Sequence, residues 1–259
     1  MSWKFSRALV RPPADSFAMG LTTADEGPPD LARARAQHAA YCAALQRAGV
    51  QVHFMAPDDA HPDSTFVEDT AILTEKVAIA TLPGAASRVG EVATVLATLV
   101  SLDLEVEEIV APGSVDGGDI CQAEDHFFIG LSQRTNDEGA RQLAEILRSR
   151  GYTCSAISIR RSRTLLHLKS GIAYLGDGRL LLTADFPAVP EFAGFTTLRV
   201  VPEENYAANC VRVNDRVLIA AGYPRLAEQL EALGLATVAL DVSEFRKMDG
   251  GLSCLSLRF

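Results

Sequence analysis

Apolar residues along the chain fall into paired short runs split by two polar residues, and several pairs are followed by a segment whose apolar spacing switches to three and four. Ala71-Ile72-Leu73-Thr74 and Val77-Ala78-Ile79-Ala80 flank Glu75-Lys76 and predict a hairpin. Val92, Val95, Leu96 and Leu99 then mark one face of a helix, with Ser87 placed to cap it. The pattern recurs in Ile120–Ala123 and His126–Ile129 around Glu124-Asp125. A helix follows that opens on a capping box at Thr135-Asn136-Asp137-Glu138, turns Leu143, Ile146 and Leu147 inward, and stops at Gly151. A third pair, Ile172–Leu175 and Leu180–Thr183, turns at Gly176-Asp177-Gly178. A fourth, Val211-Arg212-Val213 and Val217–Ala220, turns at Asn214-Asp215. Its helix starts at Pro224, has Leu226, Leu230 and Leu233 inside, and closes at Gly234.

The residue just before each pair is polar or reactive: Asp69, Asp119, Ser170, Asn209 and Cys254, at spacings of 50, 51, 39 and 45 residues. A period of this kind predicts a repeat architecture. The last run, Leu255–Phe259, has no partner after it, but Phe5–Val10 at the other end of the chain can supply one, with a helix over Asp30–Ala48 to follow. The expected fold is therefore α/β: five ββαβ-like units in pseudo-five-fold array, a five-bladed α/β propeller whose last blade is closed by both termini. Residues 1–259 then form one catalytic domain, and the five residues named above meet at its centre. The alternative on pattern alone is a doubly wound α/β sheet.

Composition narrows the partners more than the fold. Hydrophobic residues make up 48% and charged residues 22%, which excludes disordered, collagenous and coiled-coil classes. A formal net charge of −9 repels nucleic acid and anionic membrane, so neither is expected as a partner. Fully apolar runs such as Leu218–Ala221 are too short to span a bilayer, and no apolar stretch follows Met1-Ser2-Trp3-Lys4 as a leader would require. Five scattered cysteines without a CxxC pair argue against a disulfide framework or structural zinc and point to the reducing cytoplasm.

Among the cysteines, Cys42, Cys121, Cys154 and Cys210 read as small buried hydrophobes. Cys254 differs, because Asp249-Gly250-Gly251-Leu252-Ser253 leads into it and glycines let backbone approach a ligand. As a nucleophile it needs a base or a lowered pKa. His167, in Leu165-Leu166-His167-Leu168-Lys169-Ser170, is the candidate; an isolated histidine between leucines is otherwise a core residue. Asp63, Glu68, Asp69, Asp116 and Asp119 interrupt apolar stretches just before hairpins. Acids around a thiol raise its pKa and oppose an oxyanion, so they do not suit acyl transfer. They do suit a cationic substrate with a planar fork, a guanidinium.

Several ordered motifs then carry a family resemblance along the whole chain: Arg11-Pro12-Pro13, Gly20-Leu21-Thr22, Pro62-Asp63-Ser64, Phe66-Val67-Glu68-Asp69, Pro83-Gly84-Ala85 with Ser87-Arg88, Asp116-Gly117-Gly118-Asp119, Arg134-Thr135-Asn136, Leu166-His167-Leu168-Lys169, and Asp249-Gly250-Gly251 to Cys254. The chain resembles the dimethylarginine dimethylaminohydrolases of the guanidino-group-modifying (pentein) superfamily, which share the propeller fold. The resemblance implies hydrolysis of asymmetric dimethylarginine and monomethylarginine to citrulline and the methylamines through a cysteine thiouronium. By position, Cys254 is the nucleophile and His167 the general acid/base, with Asp116 beside them, where some bacterial relatives have glutamate. Glu68 and Asp69 hold the guanidinium. Arg88 and Arg134 clamp the substrate carboxylate. Asp63 and the Leu21 carbonyl take the α-amino group, and the Met248 carbonyl contacts the substrate. No metal or other cofactor is called for, the partner is a small molecule, and a homodimer is the assembly to test. Deimination of free arginine is the competing activity, and a non-catalytic binding module is the remote one. Leu21–Pro29 reads as a mobile lid.

Overall fold

Each predicted hairpin forms, and each is joined by the third strand that a ββαβ-like unit calls for, at residues the pattern had not marked. The computed structural model describes residues 3–259, so Met1 and Ser2 of the stretch read for a leader lie outside it. In chain order the elements are β1 (Arg7–Val10), α1 (Leu31–Arg47), β2 (Gln51–Phe54), β3 (Ala71–Leu73), β4 (Ala78–Ala80), α2 (Glu91–Ser101), β5 (Val106–Glu108), β6 (Ile120–Ala123) and β7 (His126–Leu131). There follow α3 (Asp137–Ser149), β8 (Thr153–Ser158), β9 (Ile172–Gly176), β10 (Arg179–Leu182), β11 (Thr196–Arg199), β12 (Val211–Val213), β13 (Arg216–Ala220), α4 (Pro224–Glu231), β14 (Ala236–Leu240), α5 (Ser243–Arg246) and β15 (Leu257–Arg258).

The strands make five separate three-stranded sheets, β15-β1-β2, β3-β4-β5, β6-β7-β8, β9-β10-β11 and β12-β13-β14. A single doubly wound sheet is thereby excluded. Every sheet has the same plan: the middle strand pairs antiparallel with its hairpin mate, as in Ile120 opposite Ile129, and parallel with the third strand, as in Ile129 opposite Ala156. A parallel return needs a crossover, which is why a helix sits between the second and third strands in four of the five sheets. The two-residue turns close because Glu124, Asp177 and Asn214 accept positive φ, the left-handed conformation that Asn and Asp tolerate better than most residues. As expected, β15 pairs antiparallel with β1, Leu9 opposite Leu257, so the two ends of the chain complete one sheet.

Each crossover helix covers its own sheet and the preceding one. Leu143 and Leu147 of α3 pack in one cluster with Ile120 and Ile129 and with Ile72 and Ile79. Leu226 and Leu230 of α4 do the same between Val217–Ile219 and Ala173–Leu175. Val95 and Leu99 of α2 join Ala71 and Ala78 to Leu9 and Leu257, and Tyr41 and Leu45 of α1 join Ala8 and Val10 to Val213 and Leu218. In the fourth sheet no α-helix forms: a short 3-10 turn, Pro190–Phe192, carries Phe192 against Phe128 and Phe186 instead. That unit is the one with the shortest spacing, 39 residues from Ser170 to Asn209, which leaves little chain for a helix.

Three details differ from expectation. Ser87 caps nothing: it lies in a 3-10 turn, Ala86–Arg88, and Gly90 precedes α2 without a side-chain cap. The cap of α3 is Asn136, which accepts from the Gly139 N–H at 2.7 Å, because the Thr135 hydroxyl is bound to Asp119. Leu233 is 39% exposed, since α4 ends at Glu231 and the turn to Gly234 carries Leu233 outward. Among the described residues, no helix is long and apolar enough to cross a membrane.

Candidate active site

Five short 3-10 turns lead into the first strands: Val67–Thr70, Gly117–Asp119, Leu168–Ser170, Pro202–Ala208 and Ser253–Leu255. Four hold the polar residue singled out by the repeat, the fourth turn has Asn209 directly after it, and the first turn packs against both the second and the last. The first strands β3, β6, β9, β12 and β15 border a common cavity of about 130 Å³ beneath them.

Cys254 lies in the last turn, half-buried. Burial pushes its thiol up to about 12, Glu68 and Asp69 add to the rise, and the Gly251 backbone and Lys169 only partly oppose it. At neutral pH Cys254 is therefore a thiol and not a thiolate. His167 ends the loop before the third turn, with its Nε2 3.0 Å from Asp116 Oδ2. Asp116 is fully buried, and its other oxygen accepts from the Gly84 N–H at 2.8 Å. An ionised carboxylate has only acceptors to offer, so Nε2 is the donor of this pair. Burial disfavours a charged imidazole, but Asp69, the hydrogen bond to Asp116, and the Asp119 and Asp116 charges outweigh it, and the His167 pKa is pushed up to about 9. Its Nδ1 edge faces Gly118 so closely that a Cβ there would lie 2.7 Å from Nδ1 and 2.9 Å from Asp69 Oδ1. Only glycine fits.

Asp69 accepts from the Gly118 N–H at 2.8 Å and from Arg88 Nη1. Burial works against its charge, yet His167 and Arg88 bring its pKa down to about 2. Arg88 is buried and extensively used: Nε and Nη2 donate to Glu91, Nη2 also to the Phe66 carbonyl at 3.0 Å, and Nη1 to Asp69. Arg134 is different. It is half-buried, and its guanidinium has no hydrogen-bond or salt-bridge partner among the described residues. Asp63, raised by burial against the pull of the Leu21 N–H and the two arginines, accepts that N–H at 3.0 and 3.2 Å.

Leu21, Asp63, Asp69, Arg88, Arg134, His167, Met248 and Cys254 all border one small cavity of about 40 Å³. Two nominated residues stand outside it. Asp116 is behind His167. Glu68 is behind Cys254, where its carboxylate accepts from Ser253 Oγ at 2.7 Å and pairs with Lys169 at 2.6 Å and Arg258 at 3.2 Å. Ser253, Lys169 and Arg258 were not singled out from sequence; Lys169 does sit in the His167 motif, but nothing local marks the other two. Cys254, His167 and Glu68 also border a larger opening of about 650 Å³. The segment read as a lid is tethered over the site: Thr22 Oγ1 donates to the Lys247 carbonyl, Thr23 to Asp249, and Arg246 to Glu26.

Donor atoms of Asp69, Asp116 and His167 come within 4.8 Å of one another, close enough to share a cation. Arg88 already neutralises Asp69, and His167 occupies Asp116. The chemistry the cluster offers is a thiol beside an imidazolium, ringed by carboxylates and opening toward an unpaired arginine.

A family profile described as "N,N dimethylarginine dimethylhydrolase, eukaryotic" matches residues 29–185. A Pseudomonas aeruginosa protein named N(G),N(G)-dimethylarginine dimethylaminohydrolase is 46% identical, over 98% of this chain and 100% of its own length. A Streptomyces coelicolor protein of the same name is 36% identical, over 97% and 96%. Among solved structures, a mutant Pseudomonas aeruginosa enzyme of that name in complex with citrulline superposes with a TM-score of 0.94 at 45% identity, covering 99% of this chain and all of its own. The N-terminal domain of a cyanobacterial arginine dihydrolase shares the fold at 20% identity, TM-score 0.86, covering 97% of each chain.

Proposed function

Because the chain belongs to the dimethylarginine dimethylaminohydrolase family, we propose that it hydrolyses asymmetric dimethylarginine and monomethylarginine to citrulline and the corresponding methylamine. It is a hydrolase of linear amidines. The observation that carries this reading is the convergence of Cys254, His167 and Asp69 on a cavity that also holds Asp63 and an unpaired Arg134. We read the five sheets as blades of one closed α/β propeller, a single catalytic domain, because every crossover packs over its own sheet and the one before. Five free cysteines suit a reducing cytoplasm.

In the mechanism we infer, Arg134 pairs with the substrate carboxylate through its free guanidinium, and Arg88 has one Nη1 hydrogen left to assist. Asp63 and the Leu21 and Met248 carbonyls hold the ammonium end. The substrate guanidinium lies against Asp69, with Glu68 beyond it. Its arrival adds a positive charge beside a thiol that burial and two carboxylates keep protonated, and so favours the thiolate. The thiol proton passes to solvent, and Cys254 Sγ attacks the guanidinium carbon to give a neutral tetrahedral adduct. His167, charged at rest, gives its proton to the departing dimethylamine. Water then attacks the thiouronium carbon as His167 takes one of its protons, and the C–S bond breaks with the remaining hydroxyl proton passing to the Cys254 sulfur, which releases citrulline and restores the thiol. Asp116 keeps the imidazole oriented in both steps.

Product analysis with asymmetric dimethylarginine and with arginine, following citrulline, dimethylamine and ammonia, tests the assignment. Equimolar citrulline and dimethylamine are expected, with Cys254→Ser inactive because a hydroxyl is a much poorer nucleophile at neutral pH. A higher kcat/KM on arginine, with ammonia released, would make the protein a deiminase instead.

A further inference from the structure

Asp119 has no part in the chemistry just described, yet it is fully buried and accepts three hydrogen bonds from two other segments of the site. Its Oδ1 accepts from the Leu168 N–H at 2.9 Å, the residue after His167. Its Oδ2 accepts from the hydroxyls of Ser132 at 2.6 Å and Thr135 at 2.7 Å. Each hydroxyl then serves a second purpose. Ser132 Oγ accepts from the Arg134 N–H at 2.9 Å and the Thr135 N–H at 3.0 Å, shaping the loop that carries Arg134. Thr135 Oγ1 accepts from the Asp116 N–H at 3.1 Å, fixing the backbone of the residue that holds His167.

From this arrangement we propose that Asp119 is a positioning residue that locks the His167–Asp116 pair and the Arg134 loop into one geometry. A hydroxyl whose single proton is spent on Asp119 must face its neighbours as an acceptor. Both Ser132 and Thr135 are oriented in this way, and no other group in the network could set both. Burial raises the Asp119 carboxyl from its ordinary value, while His167 and the three donors pull it down. The shape of the site around the reacting atoms, and not only its composition, follows from one carboxylate. The inference rests on the functional reading above, which gives His167 and Arg134 their tasks.

The two arms leading from Asp119 predict separable defects. Thr135→Val keeps the shape but removes the Asp116 arm; it should lower kcat at least tenfold with KM within threefold. Ser132→Ala removes the Arg134 arm; it should raise KM about tenfold with kcat within threefold. Asp119→Asn puts an NH2 donor in place of one acceptor oxygen, facing groups that themselves donate, and should show both defects. Two readouts need no turnover. NMR titration should find His167, ringed by Asp69, Asp116 and Asp119, near pH 9 in the wild type and at least 1 pH unit lower in Thr135→Val, which removes no charge. Citrulline binding by calorimetry should weaken about tenfold in Ser132→Ala. If Asp119→Asn fails to fold, the two single-arm variants decide. Lowered melting temperatures with wild-type kcat, KM, His167 titration and citrulline affinity, or the same defect from both arms, would overturn the proposal. A wild-type enzyme that releases no citrulline from dimethylarginine overturns the functional reading separately, while the titration still reports on the lock.

Discussion

Arg88 and Arg134 are alike in sequence, both basic and both just ahead of a crossover helix, but they are not equivalent side chains. Arg88 is held by Asp69 and Glu91, two carboxylates as buried as itself. Removing it strands both charges, and breaking a buried pair in this way costs about 3–5 kcal/mol. Arg134 has no such duty. Arg134→Ala should leave stability within about 0.5 kcal/mol of wild type, as for surface changes away from special features. It should lower kcat/KM on dimethylarginine by roughly 10–100-fold, the worth of a charge-assisted hydrogen bond. Agmatine, which lacks the carboxylate, should be a poor substrate of the wild type and lose little further in Arg134→Ala. Arg88→Ala should instead fail first in a urea melt. Equal kcat/KM on the two substrates in the wild type would remove the carboxylate from the recognition scheme.

At the level of elements, the start of α3 is decided by a polar side chain outside it. Asn136 caps α3 and also accepts from the Ser114 N–H at 3.1 Å while donating to the Pro112 carbonyl at 2.8 Å. It thus ties the helix to the loop that runs into Asp116. Asn136→Ala should cost about 1–2 kcal/mol, at the upper end for a cap because three bonds go together. A urea midpoint shifted at unchanged m-value is the expected result, with kcat/KM within threefold because Thr135 keeps its hold on Asp116. The capping box at Thr135 was legible as a helix start but off by one residue: periodicity shows that a helix begins, while a buried carboxylate 16 residues away claims the threonine hydroxyl.

For the whole molecule the ends of the chain matter most. β15 completes a sheet with β1 and carries Arg258, which pairs with Glu68 behind Cys254. Deleting Leu257–Phe259 exposes the edge of β1 and the pocket that Leu257 fills, about 2 kcal/mol for that side chain alone. It also leaves Glu68 with one cation fewer. The truncated protein should unfold on the order of 10 °C lower, given about 2–4 °C per kcal/mol for a chain of this size, and should not turn over dimethylarginine even at temperatures where it stays folded. Retained activity would mean that the last strand is dispensable to the site.

Much was written locally. Hairpins closed by Glu124-Asp125 or Asn214-Asp215 pair residues only a few positions apart, so alternation and turn chemistry determine them before any tertiary contact exists. The five-fold spacing, and with it the polar residue ahead of each hairpin, is equally a property of the string. What the string could not show is which side chains around those residues pair with one another. Glu68 meets Ser253 across 185 residues and Arg258 across 190, and Asp116 meets His167 across 51. The ββαβ plan called for a third strand in each sheet, but the residues that form it, parallel and reached through a crossover, were unmarked for the same reason. Residue type and spacing determine the elements and nominate the chemistry. Which carboxylate is neutralised, which arginine stays free and which thiol stays protonated depend on burial and on charges brought together from distant segments, and only the packed structure decides them.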